Sequence, residues 1–361
     1  MKLLEPASIG GMPVKNRVIM APMTRSRCDN PEFLTTELHV EYYKQRAGAG
    51  LIITEGTVVS PQGRGYINTP GIYSERQTAA WKNVTEAVHQ EGGKIFIQIW
   101  HVGRISHPDF QDGKLPAAPS AVNPKQKVFT SKGLTDTQTP KALRGDEIKQ
   151  IVNDFKKAGE NAAKAGFDGV EIHSSNGYLF HQFFSSQSNK RTDKYGNSIE
   201  NKARFFFEVI DALKEVMPEN KIGVRLNPMM HGMQGIDVDE NTVPVFDYVI
   251  KRLNDYTLAY LHLSRPVKVL NEPYFIQDVI GRYRKMYKGF LIANWNYDKD
   301  SAEKELAEGR ADAVAFGRYF ISNPDLVKRF EHNAALTEAD QDTFYTPGPK
   351  GFTDYPAYDF K

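Results

Sequence analysis

The chain has 361 residues, of which 40% are hydrophobic and 25% charged, with a formal net charge of +2. That composition is ordinary for a globular protein and leaves room for one large domain or two average ones. The near-neutral charge, with basic residues scattered among acidic ones, argues against nucleic acid as a partner, and a single cysteine, Cys28, excludes intramolecular disulfides and cysteine-based zinc or iron–sulfur sites.

No stretch approaches the ~20 apolar residues of a membrane span. The opening segment MKLLEPASIGGMPVKNR lacks the apolar core and cleavage site of a secretory signal. The expectation is a cytoplasmic protein with no membrane partner.

The elements follow in chain order. RVIMA (17–21) and LIITEG (51–56) are short apolar runs that read as strands. A helix is predicted over 74–93, with Ser74 as N-cap candidate and glycines at its end. KIFIQIW (94–100) is a third strand. The polar, proline-punctuated stretch 102–145 is too long for an ordinary loop and suggests a lid or small subdomain. In the helix over 146–166, Ile148, Ile151, Val152, Phe155 and Ala158 share one face. GVEIH (169–173) is a fourth strand. The next helix, 198–218, has Ser198 at its start and Asn201 where a capping box carries Glu or Gln. KIGVRL (221–226), AYLHLS (259–264) and FLIA (290–293) come next, then a helix over 300–309 and a last strand, AVAFG (313–317). The near-continuous apolar runs suit strands buried on both faces. Strands alternating with helices imply an α/β fold with a parallel sheet. The number of units suits a (β/α)8 TIM barrel, as one domain over 1–361 with a lid-like insertion after the third strand. An open, doubly wound sheet is the alternative.

A barrel of this kind carries its active site at the C-terminal ends of its strands. Those ends supply Ala21-Pro22-Met23-Thr24, then Glu55, Gly56 and Thr57, then Gln98, Trp100 and His101. The fourth supplies His173, Asn176 and Tyr178, and the fifth Arg225 and Asn227. Ala293, Asn294 and Trp295 follow the seventh strand, and Phe316-Gly317-Arg318 the eighth. Many barrels bind phosphate after strands seven and eight, with backbone N–H groups and a forked guanidinium. An equal reading makes Gly317 a tight turn and Arg318 a surface ion-pair partner. Rossmann, P-loop, zincin and nucleophile-elbow motifs are all absent. His173 and Asn176 make a poor metal site, because a neutral amide is a weak ligand; no metal is expected.

The strings NRVIMAPMTRSR (16–27), EYYKQRAGAGLIITEGTVVSPQGRGY (41–66), IQIWHVGRISHP (97–108), GVEIHSSNGYLFHQFFSSQSNKRTDKYGNSIENKARF (169–205), DAVAFGRYFISNPDL (312–326) and GFTDYP (351–356) identify a family. Over residues 2–358 the chain resembles the old yellow enzymes, FMN-dependent NAD(P)H ene-reductases with a (β/α)8 barrel. It looks most similar to the bacterial N-ethylmaleimide and pentaerythritol tetranitrate reductase group. The resemblance implies bound FMN, with NADPH or NADH as reductant, and a monomer. It places Ala21, Pro22, Met23, Thr24, Gly56, Gln98, Arg225 and Phe316 around the flavin, and Asn294, Trp295, Gly317 and Arg318 at its phosphate. Thr24, Tyr66, Trp100 and Tyr345 would shape the substrate side. His173 and Asn176 would hold the activating oxygen of an alkene while hydride leaves flavin N5 and Tyr178 protonates the α carbon. The same resemblance allows reduction of nitrate esters or nitroaromatics. A flavin-dependent RNA-modifying barrel is disfavoured by the charge and by the position of Cys28, which is given no redox role.

The chain departs from its relatives at two places. Asn176 stands where the nearest group carries a second histidine, and Trp295 where glycine is expected. Lys125, Lys127, Lys132 and Lys141 of the insertion either meet the 2′-phosphate of NADPH or form a solvated face. His101 and His181 read as ordinary core histidines.

Overall fold

The computed structural model describes residues 1–359. Eight parallel strands close on themselves: β1 (Val18–Met20), β2 (Leu51–Val58), β3 (Ile95–Trp100), β4 (Gly169–His173), β5 (Ile222–Leu226), β6 (Tyr260–Ser264), β7 (Leu291–Asn294) and β8 (Ala313–Phe316). Neighbours in sequence are neighbours in the sheet. The ring closes where Phe316 of β8 pairs with Met20 of β1, which rules out the open sheet. The architecture is the expected (β/α)8 barrel. Each strand stands within two residues of its sequence estimate, because a strand packed on both faces needs an unbroken apolar run.

The outer helices include α1 (Glu37–Gln45), α2 (Glu75–Gln90), α3 (Gly145–Lys164), α4 (Leu179–Phe184), α5 (Ile199–Lys214), α6 (Thr242–Arg252), α7 (Val279–Arg284), α8 (Lys299–Ala307), α9 (Arg318–Ser322) and α10 (Leu326–His332). Ser74 caps α2 in a full capping box with Gln77. At α5 only half the box forms. Ser198 Oγ accepts from Asn201 N, but Asn201 Oδ1 accepts from Arg204 instead of returning to the cap. The shorter amide cannot span the distance that Glu or Gln covers.

Two large apolar cores result, with a smaller cluster around Trp100 at the barrel mouth. One lies between the strands and helices. The other fills the barrel's lower interior with Ile19, Ile53, Phe96, Tyr260 and Ile292, and an N-terminal hairpin (Ala7–Ile9 with Met12–Val14) plugs it from below. Function is thereby confined to the upper end. Between β3 and α3 the chain forms a hairpin, Lys127–Thr130 with Gly133–Asp136. No helix among the described residues is long and apolar enough to cross a membrane.

Candidate active site

Strand periodicity sets up the site. On β4, Glu171 and His173 are two residues apart and so face the same side. His173 is in register with Arg225 of β5, and Ser264 of β6 with Asn294 of β7. These polar side chains are buried just above the apolar plug.

A cleft of about 390 Å³ opens at this end, within the range of small-ligand sites. Its walls include Ala21, Pro22, Met23, Thr24, Arg225, Asn294, Trp295, Phe316, Gly317, Arg318 and Tyr345. The remaining site residues form a cluster of their own. The Trp100 ring lies 5.9 Å from His173 and 4.9 Å from Tyr178, and Tyr66 lies 5.3 Å from Trp100. Tyr66 and Tyr178 share a hydroxyl–hydroxyl hydrogen bond of 2.8 Å. Gly56 sits at an irregularity of β2, where a Cβ would stand 2.5 Å from the Trp100 ring, so close packing requires glycine there. Arg225 links the two groups: it adjoins His173 in the sheet and donates from Nη2 to Asn294 Oδ1 at 3.0 Å.

The electrostatics are set by burial. His173 is pushed well below the ordinary histidine range by burial and by Arg225, so its ring is neutral. Its Nδ1 lies 3.2 Å from Ser175 Oγ. Burial and the neighbouring Tyr66 raise the Tyr178 phenol well above its ordinary value. Asn176 adopts a left-handed backbone, φ 55°, and its Oδ1 accepts from Asn227 Nδ2 at 3.1 Å.

The end of the cleft at Gly317 and Arg318 is equally defined. Gly317 has a negative φ of −95°, and a Cβ there would meet nothing nearer than Met23 Sδ at 3.4 Å, so neither a left-handed turn nor crowding demands glycine. Arg318 is exposed, and no hydrogen bond or ion pair within the described residues engages it. The ion-pair half of the alternative reading therefore finds no partner among the described residues, while Gly317 does stand at the turn into α9. Asn294 spends its side chain inside the protein: Nδ2 donates to Ala315 O at 2.8 Å and Oδ1 accepts from Arg225. Its backbone carbonyl is engaged as well, accepting from Arg265 N at 3.0 Å. Trp295 is 41% exposed and left-handed at φ 85°.

The family of this chain follows from comparison with known proteins. Residues 2–337 match the NADH:flavin oxidoreductase / NADH oxidase family. The putative 12-oxophytodienoate reductase 2 of Oryza sativa subsp. japonica is 42% identical over 98% of this chain and 93% of its own length. The structure of morphinone reductase superposes with a TM-score of 0.94 at 45% identity, covering 99% of this chain and 96% of that one. The old yellow enzyme homologue of Zymomonas mobilis gives 0.93 at 39% identity, over 99% and 100%. The chain belongs to the old yellow enzyme family. Another solved structure is morphinone reductase in complex with tetrahydroNAD. As an old yellow enzyme the chain is a flavin oxidoreductase that uses FMN and a nicotinamide reductant.

The residues present fit FMN. Ala21, Pro22, Met23 and Phe316 give apolar walls for a flat ring, and no carboxylate lines the cleft. Arg225 is buried with its Nε unpartnered, and Arg318 has all its donors free. The buried Arg225 suits a ring that gains negative charge on reduction, and the free guanidinium of Arg318 suits an anionic phosphate.

Several site neighbours escape a reading of strand ends alone. Glu171 is fully buried; its Oε1 accepts from Gln98 Nε2 at 2.7 Å and its Oε2 lies 2.8 Å from His262 Nδ1. The signal was a lone charge within an apolar strand, two residues before His173. Asn227 was visible at a strand end, but its contact with Asn176 depends on the loop between them. His101 and His181 are core histidines, as expected: each Nδ1 accepts from a backbone N–H, of Gly103 and Gly177 respectively, and burial holds both rings near pKa 3. Cys28 is fully buried against His39. Of the insertion lysines, Lys127 pairs with Asp136, Lys132 with Asp109 and Lys141 with Glu147.

Proposed function

We propose that the chain reduces the C=C bond of activated alkenes, such as enones, maleimides and nitroalkenes, with His173 and Asn176 holding the activating oxygen and Tyr178 donating the proton. When bound, FMN supplies the hydride and NADH or NADPH renews it, the two substrates using one cleft in turn. The observation that carries the reading is the orientation of the donors. Asn227 Nδ2 donates to Asn176 Oδ1, which leaves the Asn176 Nδ2 donor for a ligand. Ser175 Oγ–H can donate to His173 Nδ1, an arrangement in which the single proton of the neutral ring sits on Nε2. Two N–H donors aimed at one oxygen stabilise the charge that grows there as the β carbon accepts hydride, more than they stabilise the ground state.

Tyr178 is placed at the end of a directional chain. Gln234 Nε2 only donates, and reaches Tyr66 Oη at 3.3 Å. Tyr66 can therefore donate to Tyr178, which would leave the Tyr178 proton to point toward the substrate. Burial keeps that phenol protonated at neutral pH, as an acid must be. The insertion 102–145 acts as a lid: its Val128 is buried in one cluster with Trp100 and Tyr178.

The test is rapid mixing of reduced enzyme with a panel of alkenes, nitrate esters and nitroaromatics. Fast oxidation by enones supports the reading; oxidation by nitrate esters alone contradicts it. Tyr178→Phe should slow alkene reduction by about 10²–10⁴ while sparing flavin reduction by NAD(P)H. Equal loss in both half-reactions would remove Tyr178 as the acid.

A further inference from the structure

Immediately after the flavin-side segment Ala21–Thr24 come two arginines, Arg25 and Arg27, each 1% exposed. Burying two like charges side by side is costly unless their donors are met. Here they are met almost wholly by one distant segment. Arg25 donates from Nε to Phe344 O (3.2 Å) and from Nη2 to Gly351 O (2.6 Å). Arg27 donates from Nη1 to Phe344 O (2.8 Å), from Nη2 to Thr343 O (2.8 Å) and Lys350 O (2.9 Å), and from Nε to Gly348 O (3.3 Å). Both guanidinium groups also lie over the Phe352 ring, at 5.2 and 4.6 Å, and that ring stacks on Tyr42 at 4.0 Å. The Arg27 guanidinium is also tied to the Arg25 backbone, since its Nη1 donates to Arg25 O at 2.6 Å.

The segment so gripped, 343–352, has little regular structure of its own: a short 3-10 turn ends at Thr343, and the rest is turn and bend. Yet its Phe344 and Tyr345 form part of the cleft wall, beside Thr24 and Arg25. Tyr345 is 64% exposed, so its own contacts do not hold it in place. The placement of this wall is delegated to the arginines.

We propose that Arg25 and Arg27 are a buried latch, coupling occupancy of the cleft by FMN to docking of the C-terminal strap 343–352. Arg25 continues the backbone of the segment that lines the cofactor, so ordering that segment orders the groups that grip the strap. The strap in turn completes the cleft with Phe344 and Tyr345. Linkage requires the effect to be reciprocal: loosening the strap weakens FMN. Both arginines are positioning residues, acting on substrates through Tyr345.

The test is amide hydrogen exchange of 343–352, with the barrel strands β3 and β4 as internal reference, on full-length protein with and without FMN. In the unaltered protein FMN should slow strap exchange by roughly 5- to 150-fold, the usual span of such coupling. Arg27→Lys keeps the charge but loses the fork that reaches several carbonyls. It should speed strap exchange, reduce the FMN-dependent protection, and raise the alkene KM more than it lowers kcat, with β3 and β4 unchanged. Phe352→Leu, which removes the aromatic face, should act in the same direction. Strap exchange indifferent to FMN in the unaltered protein overturns the proposal. So does an Arg27→Lys protein whose strap stays protected, or one that loosens β3 and β4 as much as the strap. FMN uptake is read separately from its absorbance, so an unfilled cleft is not mistaken for an uncoupled strap.

Discussion

Asn176 offers the sharpest test of the donor arrangement, because three substitutions separate what it does. Its backbone is left-handed at φ 55°, it takes a hydrogen bond from Asn227, and its Nδ2 is left for a ligand. Asn176→Ala loses the donor, orphans Asn227 and forces an alanine into the left-handed region, at about 1–2 kcal/mol. Asn176→Gly loses the donor and the Asn227 contact without that strain, and should be about 1 kcal/mol more stable than the alanine variant in urea unfolding. Asn176→Asp preserves shape and still accepts from Asn227, but offers the substrate oxygen an acceptor instead of a donor. Loss of one such donor costs about 3–4 kcal/mol in the transition state, or about 10²–10³ in rate. All three should therefore lose about that factor in alkene reduction, measured by stopped-flow oxidation of reduced enzyme, with Asn176→Asp at least as slow as the others. An Asn176→Asp enzyme that reduces enones within a few-fold of the unaltered rate would refute the reasoning outright.

Other outcomes follow from burial and backbone geometry. Burial raises Glu55 from an ordinary 4.5 to about 7, against the pull of Arg25 and Arg27. The folded state thus holds a proton that the unfolded chain has released, so this stabilisation is complete below pH 4.5 and is lost as pH rises through 7. The gap is worth about 3 kcal/mol, and Glu55→Gln should flatten the pH dependence of unfolding between pH 5 and 8; an unchanged slope would exclude Glu55 as its source. Trp295→Gly relieves a left-handed aromatic and should stabilise the protein by up to about 1 kcal/mol in urea unfolding, after the entropy of glycine is subtracted; net destabilisation would mean that the indole makes contacts worth more than the strain. Because Lys127, Lys132 and Lys141 already face carboxylates, NADH and NADPH should be used with comparable kcat/KM. A strong NADPH preference abolished by Lys141→Ala would show that these surface pairs yield to the 2′-phosphate.

By itself the sequence determined the barrel and the residues at its mouth. A strand packed on both faces must be a continuous apolar run, and the polar residue that ends such a run, as His173 ends GVEIH, must lie where the chain meets solvent or ligand. Capping was legible wherever the residue chemistry was complete, as at Ser74 with Gln77, and only half legible at Ser198 with Asn201, where side-chain length decided the outcome. Tertiary structure decided which donor faces which acceptor. Asn294 looked like a phosphate ligand, yet closure of the barrel spends its amide on Arg225 and Ala315. Glu171 meets Gln98 in register on the adjacent strand and reaches His262 two strands away, past the side-chain-free Gly223 of β5, and Asn227 aims Asn176 from across a loop. Arg25 and Arg27 lie in a string whose local pattern gives them no partner, and find theirs more than three hundred residues away. Periodicity and composition act over a few residues and are written locally. Hydrogen-bond partnership depends on distances that exist only once the ring of strands has closed.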